Sequence, residues 1–311
     1  MKGLKVLATG YYVPDNIVTN VDLEKMVDTN DEWITSRTGI KSRHISAENS
    51  VELGVQAASK AIKNIDKSKI GLIVCASITP VYATPSNACL IQEALGLNEQ
   101  EVMSFDISAA CSGFVYGLTI VNSLLQTMPG KYALVIGSEQ LSKIIDFKDR
   151  STCILFGDGA GAVVVENSEN LFVSYNASRG DKESLSALSV NKDGKDNYLK
   201  MLGQDVFKFA VKAIPQSINS VLEKANLTLD EIDYVVCHQA NSRIIQHVVK
   251  KYKCDPNKFF MNLEKYGNTS GASIPLALGE MDEMGLLKPQ MKIICVGFGG
   301  GLTWGATLME W

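Results

Sequence analysis

Long hydrophobic runs are missing from this sequence. Nowhere do 18 apolar residues follow one another, so no membrane-spanning helix is expected. The opening MKGLKVLATGYYVP lacks the apolar core of a secretory leader. Metal-ligand spacings are missing too: the three histidines form no H-E-x-x-H, and no two cysteines form C-x-x-C. The seven cysteines, at 75, 89, 111, 153, 237, 254 and 295, are odd in number and scattered. That pattern reads as free thiols in a reducing compartment rather than a disulfide framework. Basic excess is absent as well, since 30 Lys+Arg against 34 Asp+Glu leave a net charge of −4. A general nucleic-acid binder is usually basic. The expectation is a cytoplasmic protein that engages neither membrane nor nucleic acid and needs no metal.

What is present fits a two-part globular enzyme. The 311 residues, 46% hydrophobic and 21% charged, suffice for about two domains and a large core without staples. Short Val/Ile-rich runs alternate with helical patterns. The runs Ile70–Ala76, Ala133–Gly137, Ala160–Val165, Ile232–Cys237 and Ile293–Gly297 read as strands buried on both faces. Helices are expected over Val51–Asn64, Ser86–Leu95, Gly113–Gln126, Gly203–Ala225, Asn241–Lys251 and Ala272–Met284. Asn20 to Glu24 reads as a capped helix start. The polar Ser178–Leu199 reads as a surface connection.

The halves repeat a pattern. IGLIVC (70–75) matches IDYVVC (232–237), and YALVIG (132–137) matches KIICVG (292–297), with offsets of 237 − 75 = 162 and 297 − 137 = 160. Between each pair lies a small-residue turn that opens a helix, AACSGFVYGL in one half and GNTSGASIPLAL in the other. A duplicated α/β unit divided at residues 1–170 and 171–311 is therefore expected. Its strand-to-helix turns would meet where open α/β sheets collect ligands.

Three polar residues fall at those places. Cys111 lies among tiny residues ahead of a helix, where unpaired N–H groups and the macrodipole would lower a thiol pKa. Packing as a small hydrophobe accounts for the same cysteine. His238 follows a buried strand, where either catalysis or backbone satisfaction would place it. Asn268 precedes a second helix, a position that ordinary turn and cap chemistry also fills. His44 and His247 read as solvated. Gly297-Phe-Gly-Gly-Gly-Leu-Thr-Trp-Gly305 offers N–H groups for an oxyanion or simply a tight turn. Gly157-Asp-Gly-Ala-Gly-Ala162 fits a dinucleotide spacing, but a Val-Val-Val strand follows it instead of a helix.

Taken together, DTNDEWITSRTGI (28–40), AACSGF (109–114), DRSTCILFGDGAGAV (149–163), HQANSRI (238–244), YGNTSGASIPLAL (266–278) and GFGGGLTWGA (297–306) carry an end-to-end resemblance. The chain resembles β-ketoacyl-acyl-carrier-protein synthase III, the initiating condensing enzymes of type II fatty-acid synthesis. The resemblance implies a thiolase-like α/β fold, two halves in a layered αβαβα core with mixed sheets. It implies a Cys111, His238 and Asn268 triad, with backbone N–H groups of Cys111 and Gly300 holding an oxyanion. Trp33, Arg37 and Arg150 would contact coenzyme A. Lys208, Arg243, Lys250 and Lys251 would contact an acidic carrier protein. Acyl-CoA and malonyl carrier protein are the implied substrates, no cofactor is needed, and the implied assembly is a homodimer. Thr84 stands where relatives often carry Phe, whose side chain crosses the dimer interface and closes the primer pocket. Beside this reading stand a secondary-metabolite ketosynthase or acyltransferase of the same fold, and a non-catalytic scaffold subunit.

Overall fold

The computed structural model describes residues 2–188 and 198–311. The first half runs β1 (Gly3–Tyr12), β2 (Ile17–Thr19), α1 (Asn20–Glu24), α2 (Asp31–Thr38), β3 (Ser42–His44), α3 (Ser50–Ala61), β4 (Ile70–Ala76), α4 (Asn87–Ala94), β5 (Met103–Ile107), α5 (Gly113–Leu125), β6 (Tyr132–Glu139) and β7 (Gly159–Ser168). The second runs β8 (Phe172–Asp181), β9 (Leu185–Ser186), β10 (Lys200–Met201), α6 (Gly203–Ala225), β11 (Tyr234–Cys237), α7 (Ser242–Tyr252), α8 (Leu263–Tyr266), α9 (Ser273–Glu283), β12 (Lys292–Gly299) and β13 (Gly301–Glu310).

Two mixed sheets follow from these runs. One has the order β1-β7-β6-β4-β5 and the other β8-β13-β12-β11, so β5 alone lacks a counterpart. In the first sheet β6–β4 and β4–β5 pair in parallel, and in the second β12–β11 does. The remaining pairs, through β7 to β1 and through β13 to β8, are antiparallel. β4 is buried at all seven positions, as expected of a strand covered on both faces. Helices α3 and α4 cover the outer face of the first sheet, α5 and α9 fill the space between the sheets, and α6 and α7 cover the second. The result is the αβαβα layering of the thiolase-like fold. β7 ends at Ser168 and β8 begins at Phe172 in the other sheet.

Close backbone contacts let the central layer form. A Cβ on Gly137 of β6 would lie 2.3 Å from the Gly271 carbonyl oxygen, and one on Gly161 of β7 would lie 2.3 Å from the Leu276 nitrogen. Only glycine permits α9 and its entry turn to sit so near the sheet.

Several local expectations are corrected. The cap of α1 is Thr19, closing a box with Asp22, whereas Asn20 is buried and donates to Asp31 Oδ1 and Ile40 O at 2.8 Å each. Ser178–Asp181 belongs to β8 rather than to a connection, and β9 pairs with β10 beyond it. The rest of that segment, 189–197, lies outside the described residues. His44 is half-buried, with Nδ1 bonded to Pro14 O and its ring 5.6 Å from Tyr266. His247 is exposed, its ring edge against Phe207. Gly157–Ala162 leads into β7 and opens no helix. No helix among the described residues is long and apolar enough to cross a membrane.

Candidate active site

The duplication brings two equivalent turns face to face. Short 3₁₀ turns at Ala110–Ser112 and Ser270–Ala272 precede α5 and α9, offset by 270 − 110 = 160, and they touch. Each begins with a non-glycine residue in the left-handed region, Ala110 at φ 46° and Ser270 at φ 48°. Such backbone costs on the order of 1 kcal/mol or more per residue and clusters where a side chain must be aimed.

Cys111 lies within the first turn, Asn268 stands two residues ahead of the second, and His238 follows the end of β11. All three line a single cavity of about 610 Å³. Cys111 Sγ lies 3.4 Å from Ser270 Oγ. The Asn268 backbone is fixed by Asn268 N to Leu155 O at 2.8 Å and Gly157 N to Asn268 O at 3.0 Å. Its Oδ1 accepts from Ser270 N at 2.8 Å, which leaves the Nδ2 amide as the donor end of the side chain.

His238 is held on two sides. Its ring packs edge-on to Phe298, centroids 5.1 Å apart. Nδ1 lies 2.8 Å from Ser273 Oγ, which also accepts from Gln239 N at 3.3 Å. With Ser273 Oγ–H as the donor to Nδ1, Nε2 carries the imidazole hydrogen. Burial pushes the ring pKa down to about 3, opposed in part by a Ser270 backbone bond. The imidazole is therefore a neutral donor at physiological pH.

The expectation of a lowered Cys111 pKa is corrected. Burial pushes the thiol up to about 12, outweighing the hydrogen bond to Ser270. The cysteine is 6% exposed, and a desolvated thiolate loses more than the turn's N–H groups return. At rest the sulfur is a protonated thiol. Cys75, Cys237 and Cys295 are fully buried within strands, as their sequence context suggested.

The glycine-rich β12–β13 connection lies against the cysteine turn. A Cβ on Gly299 would come within 2.9 Å of Cys111 Cβ and 3.1 Å of its Sγ. Thr303 Oγ1 ties the connection down, lying 3.0 Å from Ala109 O, 3.1 Å from Ser112 Oγ and 3.0 Å from Gly300 O.

The cavity mouth is cationic and aromatic. Trp33 and Arg37 of α2 line it, with the Arg37 guanidinium 4.7 Å from the Trp33 ring centre. The Arg150 guanidinium lies 5.3 Å from the same ring and pairs with Asp28, though Arg150 itself stands outside the cavity lining. Lys208 and Arg243 also line the mouth, and Lys208 Nζ is 3.5 Å from Asp205. Asn241 joins these parts: Oδ1 caps α7 at Arg243 N, and Nδ2 donates to Arg37 O at 3.0 Å. Lys250 and Lys251 are exposed in the last turn of α7. Lys250 follows Arg243 by seven residues, about two turns, and shares its face. Thr84 is exposed ahead of α4 and does not line this cavity.

Sequence reading missed Ser270, Ser273 and Glu139. The Glu139 carboxyl, fully buried at the end of β6, lies behind the cysteine turn. A carboxylate closing a buried Val/Ile strand was the available signal, because functional side chains gather at such strand ends.

Comparison with known proteins places this geometry. The family model described as 3-Oxoacyl-[acyl-carrier-protein (ACP)] synthase III C terminal matches residues 222–311, and the 3-Oxoacyl-[acyl-carrier-protein (ACP)] synthase III model matches 105–179. Beta-ketoacyl-[acyl-carrier-protein] synthase III of Acholeplasma laidlawii is 52% identical, covering 99% of this chain and 98% of its own length. The protein of the same name from Clostridium novyi is 48% identical over the full length of both. The crystal structure of 3-oxoacyl-[acyl-carrier-protein] synthase III from Aquifex aeolicus superposes with a TM-score of 0.93 at 45% identity, covering 99% and 100% of the two chains. A priming β-ketosynthase from the R1128 polyketide pathway shares the fold at 32% identity and a TM-score of 0.93, covering 99% and 96%. With full-length identities near one half to relatives of one name, the chain belongs to the β-ketoacyl-[acyl-carrier-protein] synthase III family, the condensing enzymes that initiate fatty-acid synthesis.

Proposed function

We propose that this chain condenses an acyl-CoA primer with malonyl carrier protein through an acyl-Cys111 intermediate, releasing CoA and CO2. The observation that carries the reading is the shared cavity. A thiol and two neutral hydrogen-bond donors, His238 and Asn268, open on one space whose mouth is lined by Trp33, Arg37, Lys208 and Arg243. In the first stage Cys111 Sγ attacks the thioester, and the backbone N–H groups of Cys111 and Gly300 receive the developing oxyanion. In the second, decarboxylation of the malonyl group places negative charge on its thioester oxygen. His238 Nε2–H and Asn268 Nδ2–H both donate to that oxygen. The carbanion attacks the acyl-Cys111 carbonyl, the C–S bond to Cys111 breaks, and the sulfur takes up a proton as the 3-oxoacyl carrier protein leaves. A neutral histidine suits this stage because it donates a hydrogen bond without the cost of burying a charge.

Trp33, with Arg37 and Arg150 against its ring, suits the adenine and phosphates of coenzyme A, by stacking and charge. Arg243, Lys250, Lys251 and Lys208 suit an acidic carrier protein, a local basic patch on a chain of net charge −4. A homodimer fits the free edge strand β5, whose Met103 is 52% exposed.

The test separates the stages. Mass analysis after incubation with acyl-CoA should find one acyl group on Cys111, and Cys111→Ala should take up none. His238→Ala and Asn268→Ala should still acylate but lose condensation by ~10²–10³ each. In the same assay Arg243→Ala should raise KM for malonyl carrier protein and leave acylation nearly unchanged. Equal loss of both stages in Asn268→Ala would contradict the division of roles.

A further inference from the structure

The resting thiol raises a question of protons. Cys111 is protonated, and the neighbouring imidazole is a poor acceptor, because burial opposes its charged form and Nδ1 is bonded to Ser273. Another acceptor stands behind the sulfur. Ser270 Oγ lies 3.4 Å from Cys111 Sγ, and the Ser270 hydroxyl is near enough to the Glu139 carboxyl to favour its ionised form. Glu139 Oε1 is 3.5 Å from where a Cβ of Gly271 would sit, so the carboxylate abuts the Ser270 turn. Its remaining partners fix its orientation: Thr79 Oγ1 at 2.8 Å, Ile78 N at 3.1 and 3.3 Å, and Ser77 Oγ at 3.2 Å.

We propose that Ser270 and Glu139 form a proton relay for Cys111, Ser270 taking the thiol proton as Sγ attacks and passing its own hydroxyl proton to Glu139. The inference rests on Cys111 being the acylated nucleophile. As the Sγ–C bond forms, S–H gives its proton to Ser270 Oγ and Ser270 O–H gives its proton to the carboxylate. When the tetrahedral adduct collapses, the C–S bond to coenzyme A breaks. The proton then returns along the path to the departing sulfur, restoring the Glu139 carboxylate and the Ser270 hydroxyl. Thiol plus acyl-CoA thus yields acyl-cysteine plus CoA thiol, with atoms and charge balanced.

The surroundings suit the role. Cys75 on β4 and Cys111 ahead of α5 are the titratable groups coupled to Glu139, and both thiols are held protonated by burial. Asp106 on β5, which faces Cys75, is bonded to the Asn87 and Ala88 amides. The groups bonded to the Glu139 carboxyl are hydroxyls and one amide, and among the described residues no cation pairs with it. Burial raises Glu139 to about 7, outweighing its hydrogen bonds. A carboxyl poised near neutrality exchanges protons readily in either direction.

The experiment measures first-turnover CoA release from acyl-CoA against pH, with condensation of pre-acylated enzyme measured in parallel. Acylation by the unmodified enzyme should rise through neutrality as Glu139 ionises. Glu139→Gln should slow acylation by ~10–10² and remove that limb. Ser270→Ala should do the same while leaving Glu139 its bonds to Ser77, Ile78 and Thr79, and so decides the matter if the glutamine variant does not fold. Condensation by pre-acylated enzyme expels the Cys111 sulfur, which regains its proton along the same path. That stage should therefore fall as Glu139 ionises through neutrality, and Ser270→Ala should slow it as well and remove that pH limb. Retention of the neutral limb in Ser270→Ala would overturn the relay even with Cys111 acylated, whereas an unmodified enzyme without a Cys111 adduct would overturn the nucleophile assignment itself.

Discussion

Arg43 on β3 is a guanidinium that pairs with no carboxylate among the described residues. Arg43 is fully buried, and its Nη atoms donate to Val18 O at 3.2 Å, Asn20 Oδ1 at 2.9 Å and Ile154 O at 2.7 Å. Burial lowers its pKa to about 10, which leaves it charged at neutrality. Its Cβ sits under Gly157 and Gly267, where added Cβ atoms would come within 3.0 and 3.3 Å. Arg43 thus anchors the Ile154–Gly157 segment that pairs with Asn268. Arg43→Met keeps the stem but strands two buried acceptors, Asn20 Oδ1 and Ile154 O, each worth ~1–3 kcal/mol when unpaired, and the half-buried Val18 O. We expect urea unfolding to show a loss of ~2–4 kcal/mol and condensation to slow more than acylation. Damage confined to acylation would contradict the anchor. The sequence context, Lys-Ser-Arg-His, looks like a charged surface. Nothing local reveals a buried cation whose Ile154 partner lies 111 residues away. Cys111, His238 and Asn268 were legible as candidates because Cys111 and His238 follow strands and Asn268 precedes a helix. The direction of the Cys111 shift was not, because helix-terminus reasoning omits a burial set by β12 and α9.

At the scale of elements, segments with a strong apolar pattern were legible, including the edge strand β11, and the end of the exposed edge strand β8 was not. Helix α6 spans the expected Gly203–Ala225 and β4 the expected Ile70–Ala76, since both carry an apolar pattern that packing requires. β8 read as a loop past Ser178 because its last residues are exposed at a sheet edge, where no apolar alternation is needed. β5 is the other edge that matters. Thr84 lies on the exposed loop beside Tyr82, which is 56% exposed. If β5 is the dimer edge, this loop enters the partner's cavity and Thr84 forms a roomier wall than Phe. Thr84→Phe should then shift kcat/KM from branched or longer primers toward acetyl-CoA, by ~1–3 kcal/mol per excluded methylene. Sedimentation should give a dimer for both forms. Strict acetyl preference in the unmodified enzyme, or a monomer, would contradict the proposal.

Stability of the whole molecule against pH carries the imprint of two buried groups with opposite signs. His238 is lowered from 6.5 to about 3, so between those pH values the unfolded chain binds a proton that the folded chain refuses. Its contribution is complete above 6.5 and is lost as pH falls, on the order of 4 kcal/mol by the bottom of the window. Glu139 is raised from 4.5 to about 7, so there the folded chain holds the extra proton. Its contribution is complete below 4.5 and is lost as pH rises, on the order of 3 kcal/mol by neutrality. Between 4.5 and 6.5 the two slopes oppose. Buried Asp106 and Asp158, also raised by burial, share the sign of Glu139, but they are common to all variants and cancel in differences. Replacing each group with glutamine should therefore expose the other. Measured by thermal unfolding, the stability of Glu139→Gln relative to the unmodified enzyme should climb as pH rises from about 5 to 7.5. That of His238→Gln should climb as pH falls from about 6.5 to 4. Parallel curves for either variant would mean that its buried group does not change protonation between folded and unfolded chains, and for Glu139 would remove the carboxyl poised near neutrality on which proton transfer from Cys111 depends.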